Sequence, residues 1–154
     1  MIRLVVFDVD GVLTDGKIYV DENGNERKAL LMTDVDALNM IKKDGYMIAA
    51  VTGENTKITS YFAKRFMWDD FASGCKDKKA ELIRFSTDMG VDLDDICYIG
   101  DGIYDLEAIK AAGFGVCPSN AIDEVKAVAD MILTKAGGAG CINELRKCLS
   151  TLAD

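Results

Sequence analysis

Apolar residues in this chain arrive in short unbroken runs, separated by longer stretches in which they recur every three or four positions. The runs Leu4–Phe7, Met47–Val51, Ile96–Ile99, Gly115–Cys117 and Met131–Leu133 lack the alternation of a strand with one wet face. That pattern predicts strands covered on both sides. Between them, Val35–Lys43, Lys57–Phe66, Lys78–Met89, Tyr104–Ala112, Glu124–Ala129 and Ile142–Leu152 carry helical periodicity. Strand and helix in regular succession predict an α/β fold, a doubly wound parallel sheet.

Residues 17–31 break this rhythm. Lys17–Val20 and Arg27–Leu31 read as strand arms around Asp21-Glu22-Asn23-Gly24-Asn25. Asn23-Gly24 is a strong hairpin signal, since both residues accept positive φ. A β-hairpin inserted after the first strand is expected, too small to be a domain of its own. A chain of 154 residues suits a single domain, 1–154, with one core. Between Asp10 and Thr52 there is room for the hairpin and one helix, but not for a cap domain.

Charge and composition narrow the function. A net charge of −8 argues against nucleic acid or an anionic membrane as partner. An anionic substrate remains compatible, because a bound divalent cation inverts the local field. No apolar run approaches the roughly 20 residues of a membrane span. The first strand follows the N-terminus without a basic, apolar leader, so a cytoplasmic location is expected. The five cysteines are scattered and odd in number, and reduced thiols are expected. There is no histidine, so zinc sites and histidine-based triads lose their usual groups. Chemistry has to run on carboxylates, hydroxyls, lysines and backbone.

In open α/β sheets, ligands sit at the carboxyl ends of the strands. The first predicted strand ends in Asp8-Val9-Asp10-Gly11, and two carboxylates so close repel each other unless a cation or a proton intervenes. The second ends at Val51 and delivers Thr52 and Gly53. The third leads through Gly100 to Asp101 and Asp105, and Lys76, Lys78 and Lys79 surround the start of a predicted helix. These residue types suit phosphate chemistry. Asp8 can attack phosphorus, and Asp10 can protonate the leaving alkoxide and then deprotonate water. Mg²⁺ held by carboxylates of separate loops, with Asp101 completing the site, would screen the approach of two anions. Thr52 hydroxyl and Gly53 N–H can bind phosphate oxygens, and a lysine adds positive charge. Asp105 can hold its loop or the lysine in place.

The stretches FDVDGVLTDG, VTG, KDKKAEL and IGDGIYDLEAI, in that order, resemble the four motifs of the haloacid dehalogenase superfamily of phosphohydrolases. DVDGVLTDGKIY, the hairpin and the tail AGGAGCINEL are similar, more narrowly, to a cap-less branch. That branch includes the 3-deoxy-D-manno-octulosonate 8-phosphate phosphatases and the phosphatase-like domain of acylneuraminate cytidylyltransferases. The resemblance implies Asp8 as nucleophile, Asp10 as acid/base, Thr52 as phosphate ligand and Lys78 as the charge-balancing lysine. It implies Mg²⁺ on Asp8, the Asp10 carbonyl and Asp101. It also implies a homotetramer in which hairpins form a central barrel and a neighbour roofs each site.

Several positions depart from the branch. Thr33-Asp34-Val35 stands where Arg-Asp-Gly is usual, and Glu54 stands where the second motif usually has arginine. Gly102 follows Asp101 in place of a second acid, and an arginine expected near Asn143 is missing. The expected substrate is therefore an acidic keto-sugar phosphate, either the octulosonate 8-phosphate or a nonulosonate 9-phosphate. Two other classes fit parts of the pattern. A phosphorelay receiver also clusters acids, Thr and Lys, but takes phosphate on an aspartate ending a middle strand, where this chain has Thr52. A catalytically silent assembly module would share the fold, yet every core group is present here. The apolar hairpin positions Ile18, Val20, Leu30 and Leu31 favour assembly, since a closed barrel removes open edges and covers the site. The tail Gly137–Gly140 is a candidate lid.

Overall fold

The computed structural model describes residues 1–152; Ala153 and Asp154, the end of the expected domain, lie outside the described residues. Eight strands and six helices follow in chain order. They are β1 (Leu4–Asp8), β2 (Tyr19–Val20), β3 (Glu26–Arg27), α1 (Met32–Lys43), β4 (Met47–Val51), α2 (Lys57–Arg65) and β5 (Asp70–Ala72). Then come α3 (Lys78–Met89), β6 (Ile96–Ile99), α4 (Leu106–Ala111), β7 (Phe114–Cys117), α5 (Asp123–Val128), β8 (Met131–Ile132) and α6 (Cys141–Leu149). Six strands form one parallel sheet in the order β5-β4-β1-β6-β7-β8, as the unbroken apolar runs predict. No cap domain is found among the described residues.

Successive strand residues point to opposite faces, so each strand feeds two cores. Val5, Phe7, Ile48, Ala50, Cys97 and Ile99 pack with α1 and α6 on one side. Leu4, Val6, Ala49, Val51, Ile96 and Tyr98 pack with residues of α3, α4 and α5 on the other. Burial on both faces is why these strands read as continuous hydrophobic runs.

The central position of β1 sets the site. It pairs Asp8 with Val51 of β4 and Phe7 with Ile99 of β6. The carboxyl ends of three adjacent strands are thus nearly flush, and the residues that follow them are neighbours in space.

The structure departs from the sequence expectation in three places. β5 leaves no apolar run in the sequence, because Asp70–Ala72 is a three-residue edge strand. The expected helix Tyr104–Ala112 begins instead as a 3-10 turn, Ile103–Asp105, ahead of α4. The hairpin is present but short, with only Tyr19↔Arg27 and Val20↔Glu26 paired. Gly24 alone takes positive φ (80°), so the turn is not the doubly left-handed kind that Asn23-Gly24 favours. Asp21 organises it instead, its side chain accepting the N–H of Asn23 and of Asn25, each at 2.9 Å.

Candidate active site

Asp8 is the last residue of β1 and is buried. Its Oδ1 accepts the N–H of Val9 at 2.8 Å and Lys78 Nζ at 2.9 Å. Lys78 reaches it from the first turn of α3, whose start is fixed by Asp77, which accepts the N–H of Ala80 at 3.0 Å. A side-chain cap of this kind satisfies an otherwise orphaned helix donor and decides where the helix begins. In KDKKAEL the aspartate is the cap, and the lysine behind it therefore faces the strand ends.

Lys78 also donates to Asp105 Oδ1 at 3.0 Å. Asp105 is almost completely enclosed. Tyr98 OH donates to its Oδ1 at 2.6 Å, and the N–H groups of Asp101 and Gly102 donate to Oδ2, each at 3.0 Å. Burial acts to raise the Asp105 pKa, but Lys78 and these hydrogen bonds hold it below its ordinary value. Burial likewise opposes the Lys78 charge, yet Asp8 and Asp105 raise its pKa above the ordinary lysine value. Asp105 is thus a fixed ionic anchor.

Asp8 and Asp101 are in the reverse condition. Burial pushes the Asp8 carboxyl well above the usual range, and the Asp105 charge adds to it while Lys78 opposes. Burial also raises Asp101. Oxygens of Asp8, Asp101 and Asp105 lie within 4.8 Å of one another. Because the Asp105 oxygens already have their donors, the pair able to hold a cation is Asp8 and Asp101. Hard carboxylate oxygens at this spacing suit Mg²⁺ or a similar divalent ion. Counting Asp10, four carboxylates face Lys78 and Lys28, an excess of negative charge that one divalent ion would balance. Gly11, at φ 85°, lets the first loop approach closely, because a Cβ there would collide with the Asp101 carboxylate.

Asp8, Asp10, Thr52, Gly53, Lys78, Asp101 and Asp105, the residues singled out from the sequence, all line one pocket of about 550 Å³. Thr52 is buried after β4, and its Oγ1 accepts the N–H of Glu54 at 3.1 Å, which leaves the hydroxyl proton available to a ligand. Glu54, Lys76 and Tyr104 share the lining. Among the described residues, no buried side-chain polar atom lacks a partner.

Four contributors escaped sequence reasoning. Lys28 leaves the hairpin and places Nζ 2.8 Å from Asp10 Oδ1 and 2.9 Å from Oδ2. Its only signal was a place in the charged run Glu26-Arg27-Lys28, which reads as a solvated arm. Tyr98 was hidden inside an apolar strand. Asn120 donates to the Gly11 carbonyl at 3.2 Å and accepts the Gly137 N–H at 2.7 Å. Gly137 and Gly138 lie backbone to backbone on the loop Gly11–Asp15, where any Cβ would collide. The tail expected as a candidate lid therefore braces the first loop and is not part of the pocket lining. Asp34 holds it there, accepting the N–H groups of Gly140 at 3.1 Å and Asn143 at 3.2 Å.

Comparison with known proteins agrees with this geometry. The family model described as haloacid dehalogenase-like hydrolase matches residues 42–145. The 3-deoxy-D-manno-octulosonate 8-phosphate phosphatase of Haemophilus influenzae is 30% identical over 94% of this chain and 80% of its own length. That of Escherichia coli K12 is 27% identical over 94% of this chain and 77% of its own length. A crystal structure of the Moraxella catarrhalis phosphatase of that name, in complex with magnesium, phosphate and KDO, superposes with a TM-score of 0.92 at 34% identity. It covers 97% of this chain and 86% of that one. By sheet order, strand-end carboxylates and these likenesses together, the chain belongs to the haloacid dehalogenase-like hydrolases.

Proposed function

We propose that this phosphatase is a Mg²⁺-dependent phosphomonoesterase acting on an acidic keto-sugar phosphate through an aspartyl-phosphate on Asp8. The observation that carries the reading is the Asp8 carboxylate. Its Oδ1 is fixed by Val9 and Lys78, while among the described residues no donor holds Oδ2. Oδ2 attacks phosphorus as the bond from phosphorus to the sugar oxygen breaks, and Asp10, having taken up a proton from solvent before this step, gives it to that oxygen. Asp10 then takes a proton from a water whose oxygen bonds to phosphorus. The acyl-phosphate bond breaks, returning the Asp8 carboxylate and inorganic phosphate. Thr52 hydroxyl and Gly53 N–H bind phosphate oxygens, and Lys78 offsets their charge. Mg²⁺ bound by Asp8, Asp101 and the Asp10 carbonyl would supply the positive charge that lets an anionic nucleophile approach an anionic phosphate.

Likeness to octulosonate 8-phosphate phosphatases favours that substrate. A nonulosonate 9-phosphate is the second reading, because Glu54 lines the pocket where the resemblance expects an arginine. The same proposal covers assembly as a homotetramer of single-domain chains. Its support is the hairpin, where Ile18, just before β2, and Tyr19 and Val20 on it are 51%, 46% and 55% exposed, and the paired strands of two residues are too short to stand alone in water.

Phosphate release from both acidic sugar phosphates and from p-nitrophenyl phosphate, with EDTA or Mg²⁺, tests the reading. Activity should vanish in EDTA and return with Mg²⁺, and Asp8→Asn should keep less than about a hundredth of it. Full activity in excess chelator would overturn the metal requirement. Turnover of p-nitrophenyl phosphate alone would overturn the substrate class, and turnover of nothing would favour the silent module.

A further inference from the structure

The proposed chemistry leaves one buried cation without a role. The Lys28 side chain is only 4% exposed, although its residue follows the exposed strand β3. Lysine is rarely enclosed to this degree unless paired, since desolvating an ammonium is costly. Its partner is Asp10, whose carboxylate it meets at both oxygens, 2.8 and 2.9 Å away. Thr14 Oγ1 meets Asp10 Oδ1 from a second side at 3.3 Å. Two donors from different segments fix both the position and the plane of one short side chain.

Asp10 and Lys28 face different cavities. Asp10 lines the active pocket, whereas Lys28 lines a separate groove between the hairpin and α2, with Lys57, Ile58 and Tyr61. The ammonium therefore bridges the two oxygens of Asp10 from the hairpin side, and Lys28 is not among the residues lining the pocket that holds Lys78. Resting on Asp10 as the acid/base of the proposed reaction, we infer that Lys28 is a positioning residue that aims the Asp10 carboxylate at the leaving-group oxygen. The hairpin thereby becomes part of the catalytic apparatus: its returning arm supplies the brace for the proton-transferring group.

Misplacing a catalytic group by about 1 Å costs up to roughly 100-fold in rate. A misaimed acid is felt where the leaving oxygen needs a proton and is nearly silent where it does not. The readout is therefore a ratio, turnover of 3-deoxy-D-manno-octulosonate 8-phosphate or the nonulosonate 9-phosphate over turnover of p-nitrophenyl phosphate. Lys28→Gln should lower that ratio about 10- to 100-fold. Lys28→Arg, which keeps the charge but shifts the donor, should lower it less. The double variant with Asp10→Asn should be no worse than Asp10→Asn alone, because a brace has no effect once its target is gone.

Equal losses on both substrates would make Lys28 a structural residue and overturn the inference, as would an unchanged ratio in both variants. If Lys28→Gln does not fold, Lys28→Arg decides by the same ratio. Asp10→Asn is the separate control. A ratio unchanged in that variant sinks the acid/base reading itself, whatever Lys28 does.

Discussion

The carboxylate cluster at the sheet end and the hairpin at residues 17–31 are built on opposite terms. The cluster is enclosed and charged, and its anchor is saturated with partners: Asp105 receives Lys78, Tyr98 and two backbone N–H groups. The hairpin is exposed, carries apolar side chains at Ile18, Tyr19 and Val20, and is held by two paired residues on each arm and an Asp21 turn. In the first, structure exists to keep like charges together in a poorly solvated place. In the second, apolar side chains lie open to solvent on a hairpin with only two paired residues in each arm. Lys28 is where the two meet.

The largest effect should come from breaking the enclosed side. Asp105→Ala leaves Lys78 with one carboxylate, and Tyr98 OH and two N–H groups with none. Removing one partner of a buried ion pair costs about 3–5 kcal/mol. A large fall in melting temperature is expected, with loss of turnover. A variant that melts within a few degrees of the parent would show that the anchor is dispensable.

Next is the brace beneath the first loop. Gly137→Val places side-chain atoms against the Gly11 and Thr14 carbonyls. Overpacking of this kind costs about 1–3 kcal/mol. Activity should fall with stability, because the loop displaced is the one that carries Asp10. Unchanged turnover would mean that the loop keeps its shape without the tail.

Protonation sharpens the contrast. Without a cation, burial holds Asp8 and Asp101 above the usual carboxylate range, so the folded protein retains protons that the unfolded chain has released. Stability from these two groups is therefore lost as pH rises from about 4 through their raised values. Asp105 has the opposite sign. Its lowered pKa gives stability that is present above the unfolded value and lost as pH falls through the folded one. Melting compared in excess Mg²⁺ and in EDTA should show Mg²⁺ stabilising more at neutral than at acid pH, and Asp8→Asn should shrink that difference. A Mg²⁺ effect independent of pH would break the account.

The smallest effect on the monomer should come from the hairpin. Val20→Asp changes an exposed position and should alter chain stability by no more than about 0.5 kcal/mol. Light scattering should nevertheless show a shift toward the monomer. A stability loss with unchanged particle size would place the hairpin against its own chain instead.

The same contrast explains what was legible in the sequence. Strands buried on both faces leave unbroken apolar runs, and every strand forming the middle of the sheet was visible in them. The pocket was legible because its acids, Thr52 and Lys78 stand directly after those runs or at a capped helix start. β5 was not, because an edge strand of three residues needs no apolar run. Lys28, Asn120 and Asp34 were not, because each acts through a partner distant in sequence, and nothing local separates them from surface polar residues. Tyr98 shows the converse: a hydroxyl in a core strand reads as packing until its acceptor is known.

The contact of Gly137 and Gly138 with the first loop has a consequence for the order of folding. The proposed nucleophile and acid/base lie near the start of the chain, yet the loop that follows Asp10 is braced by backbone that emerges more than a hundred residues later. Contacts of such separation form late, after the entropy of closing a long loop has been overcome. During synthesis, β1, β4 and β6 can pair while the Asp10 loop still lacks its support. A nascent chain ending before Gly137 would own every motif of the pocket and still lack the brace on the loop that follows Asp10. Competence should therefore arrive as a last step, when the tail docks and Asp34 fastens it.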